Sequence, residues 1–211
     1  MSNPSDRLYE MNSRTLAFVV SAQAYLFIAI GLALWTVSGR DLFAFVTFEA
    51  WEWTLGLALG GGMIAVAYAT FVLFPRFCDM MTRMQARNYA FLIKNSSAPM
   101  ILLMSLCAGI GEEALFRGGL QTFLGDYTPL PLAIIVASLA FALIHFAKPL
   151  VAGIIFAIGA LFGIVYEWSG SLLAVMIGHA VYDVFAIWFL IRQMKRLGLD
   201  QQPPREENTP V

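Results

Sequence analysis

The sequence predicts an all-α protein: a polytopic transmembrane bundle of about six helices around a central polar cavity. Three observations lead there. Hydrophobic residues make up 59% of the chain and charged residues 13%, with mean hydropathy +0.72, where soluble domains carry roughly a quarter charged residues. The apolar residues are gathered into runs of about the length needed to cross roughly 30 Å of hydrocarbon. Both histidines, and an unusual cluster of two acids and an arginine, fall inside or at the edge of those runs.

Taken in order, the runs are Thr15–Val37, Trp51–Phe74, Ser97 to about Leu124, Pro131–Phe146, Leu150–Trp168 and Ser171–Ile191. The first follows a stretch that is polar through Asn12. At about 23 residues it exceeds the roughly 7–15 of a signal-peptide core, so it is expected to remain as an anchor. The third is too long for a simple span and is expected to tilt or to break near Gly109, Gly111 or Gly118-Gly119, whereas the fourth is short. Trp35, Trp51, Trp53, Trp168 and Trp188 lie near predicted ends, at the level that indole rings favour. Gly56-xxx-Gly60, followed by Gly61 and Gly62, and Gly159-xxx-Gly163 mark close helix packing. Between Pro75 and Asn95, Phe77, Met80, Met81 and Met84 share one helical face and basic residues another, the pattern of an interfacial helix on anionic lipid or of a solvated connector. The whole chain, 1–211, reads as a single integral membrane domain with its motif-bearing core at about 97–191 and a polar, Pro-containing tail at 201–211, expected to be disordered.

Lys and Arg set the orientation. With the N-terminus inside, Arg7, Arg14, Arg76, Arg83, Arg87, Lys94, Lys148, Arg192, Lys195, Arg196 and Arg205 fall on the inner side and Arg40 alone on the outer, which puts both termini in the cytoplasm of a bacterial-type cell membrane. A net charge of −1 offers no basic surface large enough for nucleic acid. Cys78 in a polar connection and Cys107 inside a span are predicted to be free thiols.

The chemistry centres on Gly111-Glu112-Glu113-Ala114-Leu115-Phe116-Arg117. A charge at bilayer depth costs about 2.5–3.5 kcal/mol on insertion scales, so three in one span require partners, water or a task. Helical geometry pairs Glu113 with Arg117 at i,i+4 and turns Glu112 about 100° away, free for chemistry. The structural alternative is a loop helix capped by its acids, or a charge cluster joining helices. His145 follows Phe141 by four residues in the fourth span, and His179 precedes Asp183 by four in the sixth, each pair on one face. Burial and a second acid make Glu112 a plausible general base. There is no serine-nucleophile setting, no aspartate pair and no His-Glu-xxx-His zinc spacing.

In that order and on those spans, Glu112-Glu113-xxx-Arg117, Phe141-xxx-His145 and His179-xxx-Asp183 resemble the CAAX prenyl protease type II family, also called the CPBP or ABI group of glutamic intramembrane proteases. The resemblance covers roughly Ser97–Ile191; the first two spans carry no motif of that family. It implies that Glu112 activates the attacking water, that His145 helps to hold it, that His179 with residue 183 stabilises the oxyanion, and that Glu113 and Arg117 support the site. Family members often carry Asn where this chain has Asp183, and an ionised carboxylate cannot donate to an oxyanion; Asp183 must be protonated or must orient His179. No cofactor or metal is implied. The implied partners are membrane lipid and a peptide or protein substrate. The family is linked to prenylated C-termini, bacteriocin maturation or self-immunity and C-terminal sorting signals, and the sequence selects none of these. The alternatives are a zinc site on Glu112, His145 and His179, a bis-histidine haem protein, a transporter using the acids as a proton relay, and a non-proteolytic protein of the same fold acting in immunity or as a scaffold. The topology sets one conflict: Glu112 lies about 15 residues, roughly 22 Å, from the inner end of its helix, whereas His145 lies near the inner end of the next.

Overall fold

The computed structural model describes residues 11–86 and 88–200, and among these every regular element is helical. The expected tail at 201–211, and Arg7, Arg87 and Arg205, lie outside the described residues. Helix α1 spans Ser13–Val37, with the Asn12 side chain accepting from Thr15 N at its start. α2 spans Ala50–Leu73, opened by a capping box between Glu49 and Glu52. Two short helices follow, α3 at Pro75–Gln85 and α4 at Phe91–Lys94. α5 runs unbroken over Ala98–Gly125, α6 over Leu130–Leu143, α7 over Pro149–Ser169 and α8 over Leu172–Arg196. Five of these (α1, α2, α5, α7 and α8) are long and apolar enough to cross a membrane, and α6 is a shorter apolar helix.

α5 is the centre of the bundle, with α1 and α8 against it on two sides and α6 on a third, while α2 packs outside α8 and α7 against α6. Its glycines do not break it. Gly109 faces the backbone of Ala180 and Met176, Gly111 faces Ala24 and Gly119 faces Gly31, so the residues expected to interrupt the span let neighbouring backbones approach instead. The length is absorbed by a π-helical stretch at Ala114–Gln121, a widened turn of the kind that often accompanies functional sites. Thr122 Oγ1 donates to the carbonyl of Arg117 at 2.8 Å within it. Gly56 and Gly60 of α2 pack on α8 as expected, whereas Gly61 and Gly62 face open space.

A Cβ at Gly31 would overlap the carbonyl oxygen of Ala114, where the π-helical stretch begins. Gly31→Ala is therefore expected to cost about 1–3 kcal/mol, the range for overpacking. Gly61→Ala, with nothing within 4 Å of its added carbon, should be close to neutral. Thermal unfolding of the two variants in detergent checks this, and equal losses would contradict it.

Trp35 lies near the end of α1 as expected, with its indole turned inward: it is buried, donates from Nε1 to the carbonyl of Asp41 at 2.8 Å and meets Phe45 edge-on. Two expectations are corrected. The segment after α2 is not one interfacial helix: Phe77 and Met80 of α3 are exposed, but Leu92 of α4 is 2% exposed and packs with Leu16, Met100 and Met194. The second is α6, which stops at Leu143, so His145 lies on the following turn rather than on a helix. Phe146, next in the chain, has φ +46°, a left-handed conformation that a bulky residue rarely adopts and that cannot continue a helix. Pro149 then starts α7. Both cysteines are free, as expected.

Arg40 stands at the end where the α1–α2 and α5–α6 connections meet, joined to Asp126 by two 2.8 Å hydrogen bonds. That bond holds the Asp126 carboxyl below its ordinary range and the Arg40 guanidinium above its own. The conflict of depth is resolved from this same end. Glu112 lies about 13 residues below Gly125 and His145 about 15 beyond Leu130, so at about 1.5 Å per residue both are roughly 20 Å down. The short α6 ends where Glu112 sits.

Candidate active site

Two apolar clusters lie on either side of the polar centre. One gathers Trp35, Phe45, Met63, Phe162, Tyr166 and Leu172, and the other Leu16, Leu92, Met100, Met104, Ile191 and Met194. Between them, a cavity of about 470 Å³ is lined by Glu112, Phe141, His145, His179 and Asp183, together with apolar residues of α1, α5, α7 and α8. The structure therefore brings Glu112 of α5, His145 of the α6–α7 turn and His179 and Asp183 of α8 to one cavity.

The two acids have separate surroundings. Glu113 and Arg117 are fully buried and paired at 3.1 Å between Oε1 and Nη1, the i,i+4 contact that helical spacing dictates. The same Oε1 accepts from His179 Nδ1 at 2.7 Å, a contact between helices that spacing along one helix does not reveal. Arg117 also donates from Nη2 to the carbonyl of Gly159 at 2.7 Å. A side chain at 159 would crowd that guanidinium and Phe141, so this glycine opens a backbone acceptor to the arginine as well as close packing. Arg117 lies over the Phe141 ring at 4.7 Å and near Phe162 at 5.6 Å, which adds cation–π attraction in a dry setting.

Among the described residues Glu112 makes no hydrogen bond to protein. Its nearest cationic or imidazole neighbour is His145, with Oε2 and Nε2 3.9 Å apart. His145 donates from Nδ1 to the carbonyl of Phe141 at 2.8 Å, which fixes the neutral tautomer with Nε2 as acceptor. Two polar atoms 3.9 Å apart are too far for a direct bond, yet both can reach one water at about 2.8 Å. A carboxylate and an imidazole acceptor would then share that water's two protons.

His179 is held by its surroundings. Phe162 stacks on the ring at 5.0 Å and Phe141 meets it edge-on at 6.0 Å, while Phe141 also stands 4.9 Å from the His145 ring. Its Nε2 lies 3.6 Å from Asp183 Oδ2, beyond a normal hydrogen bond. Glu113 rather than Asp183 is thus the ring's hydrogen-bonded partner. Its second nitrogen is left facing the Asp183 carboxyl and the cavity.

Several participants have no motif in the sequence. Tyr89, from the connection between α3 and α4, lines the cavity. Burial, then Asp183 and Glu112, push its phenol up to about 12, so it stays a proton donor. Above Arg117, buried Gln121 donates to the carbonyl of Gly163 and to Glu167, both at 3.0 Å. Gln121 follows Arg117 by four residues, and that spacing is the one signal that could have marked it. Among the described residues, no group of three or more His, Cys, Asp and Glu side chains is placed to hold a metal ion.

Fold and site together define an integral membrane protein, a helical bundle that encloses an acid–imidazole centre. Residues 94–185 match the family model described as type II CAAX prenyl endopeptidase Rce1-like. The matched segment contains all six of Glu112, Glu113, Arg117, His145, His179 and Asp183, and leaves α1 and α2 outside it. The chain is also similar to the uncharacterized protein YpbD of Bacillus subtilis (strain 168), with 37% identity over 119 residues, covering 54% of this chain and 59% of that protein. No solved structure matches.

Proposed function

We propose that this protein is a glutamic-type intramembrane endopeptidase that cleaves a membrane-associated substrate near its C-terminus or within its membrane segment. The observation that carries the reading is the facing pair Glu112 and His145, 3.9 Å apart on one cavity and positioned to hold a single water. Glu112 takes a proton from that water as its oxygen attacks the scissile carbonyl carbon, and the carbonyl oxygen becomes an oxyanion. His179 donates to the oxyanion, steadied by Glu113 and Arg117. Glu112 then returns the proton to the amide nitrogen as the C–N bond breaks. The match of residues 94–185 to a CAAX-protease family model supports hydrolysis. The apolar cavity walls suit a lipid-embedded or lipidated chain. The excess of Lys and Arg at one end supports placement in a cell membrane with both termini cytoplasmic. The test is a comparison of membrane-protein C-termini between cells carrying the wild type and Glu112→Ala at equal abundance. Shortened C-termini are expected only with the wild type, and identical sets would reject hydrolysis in favour of a non-proteolytic role.

Asp183 is assigned a supporting part, its carboxylate favouring the doubly protonated His179 from 3.6 Å away. Asp183→Asn removes that negative charge and keeps the shape, so the alkaline limb of the pH–activity profile should move to lower pH. Persistence of activity to higher pH would instead identify Asp183 as a protonated donor that Asn replaces. Activity across about pH 5–9, where imidazoles and shifted carboxyls titrate, distinguishes the two.

A further inference from the structure

A second concavity, of about 490 Å³, opens between α3 and the turn joining α6 to α7, lined by Arg76, Asp79, Met80, Arg83, Met84 and Lys148. Arg76 and Arg83 are seven residues apart, two turns along one face of α3 and about 10 Å from each other along its axis. Lys148 comes from a different part of the chain. Asp79, the acid in this lining, is already engaged by Arg196 of α8. Among the described residues none of the three cations has an ion-pair partner. Three like charges directed at one hollow repel one another, and an anion placed between them removes that cost.

The surroundings select the kind of anion. Met80 and Met84 supply apolar lining, and Phe77, 36% exposed, shares the helical face of Met84 two turns away. A small, fully hydrated anion has no use for such a rim. A phosphodiester carrying acyl chains matches both halves: the phosphate between the cations and the chains along the methionines and the exposed Phe77.

We propose that the Arg76–Arg83–Lys148 pocket binds the headgroup of an anionic phospholipid, and that the bound lipid ties α3 to the turn that carries His145. The pocket adjoins the catalytic cavity along the chain on both sides: Gln85 directly follows Met84, and His145 precedes Lys148 by three residues, and both line that cavity. The proposal stands apart from hydrolysis, because it concerns binding alone.

The test is a lipid titration of the purified full chain in neutral detergent, followed by thermal unfolding, with phosphatidylglycerol, phosphatidylcholine and inorganic phosphate as separate arms. Each cation at an anionic lipid surface contributes about fivefold in affinity. Phosphatidylglycerol should therefore raise the unfolding temperature at far lower concentration than phosphatidylcholine. Combining Arg76→Gln, Arg83→Gln and Lys148→Gln should raise its half-saturating concentration about 100-fold. Inorganic phosphate should give no comparable shift. Lys148→Gln alone, on an exposed turn, gives a second reading if the triple variant does not fold, with about fivefold weakening expected. Lys94→Gln, an equal loss of charge elsewhere on an exposed residue, should leave the titration unchanged. Equal responses to the two lipids, full phosphatidylglycerol response in the variants, the same weakening by Lys94→Gln, or an inorganic phosphate shift as large as the lipid's would each overturn the proposal.

Discussion

Glu112→Gln is expected to reduce peptide hydrolysis by at least about 10²–10⁴-fold, the range supplied by a positioned general base, while the protein remains folded in the membrane. Glutamine keeps the volume and cannot take the proton from water. Among the described residues Glu112 has no hydrogen bond to protein and no ion-pair partner but the neutral His145 ring at 3.9 Å, so its loss leaves no buried charge stranded. Rates measured on substrates from the C-terminal comparison, with unfolding temperatures of the same preparations, check both halves. A variant that loses activity and stability together would make Glu112 a structural group.

Glu113→Gln should behave in the opposite sense, with a loss of stability of about 3–5 kcal/mol, the cost of removing one partner from a buried ion pair. The same oxygen holds Arg117 at 3.1 Å and His179 at 2.7 Å, and all three side chains are buried. An amide oxygen can accept from both donors but carries no charge to offset the guanidinium. Gly159 O and the rings of Phe141 and Phe162 remain around Arg117, and none of them is an anion. Chemical or thermal unfolding in detergent measures the loss. Stability within about 0.5 kcal/mol of wild type, the usual effect of a substitution outside such features, would contradict this account of the pair.

The two acids differ in a way that was legible in the sequence. Adjacent carboxylates on a helix point about 100° apart, and the arginine four residues after Glu113 claims that acid and leaves Glu112. The same geometry marked His179 with Asp183 and His145 with Phe141, and hydropathy placed the ends of the long helices closely except that α8 runs on past the expected Ile191 to Arg196. What spacing could not give was contact between helices. The bond from His179 to Glu113, the Gly159 carbonyl on Arg117 and the entry of Tyr89 into the cavity all join residues from separate elements. Hydropathy also overran α6, because Ile144 and Phe146 are apolar although the helix has already ended. Composition does not report a left-handed turn. Nor does composition show that the indole of Trp35, near the end of its helix, packs inward on Phe45. Gly109, Gly111 and Gly119 looked like weak points because glycine lowers helix propensity, but in a bundle the gain from close backbone contact outweighs that cost.

Hydrolysis of a peptide bond by water that Glu112 activates can be followed on the purified protein reconstituted in vesicles. Cleavage of a peptide identified in the C-terminal comparison would be followed for the wild type, the wild type treated with a strong chelator, and Glu112→Gln. The account predicts cleavage at the same rate with and without chelator and none above background for Glu112→Gln. Cleavage that vanishes with chelator and returns with zinc, or that Glu112→Gln performs at the wild-type rate, would contradict it.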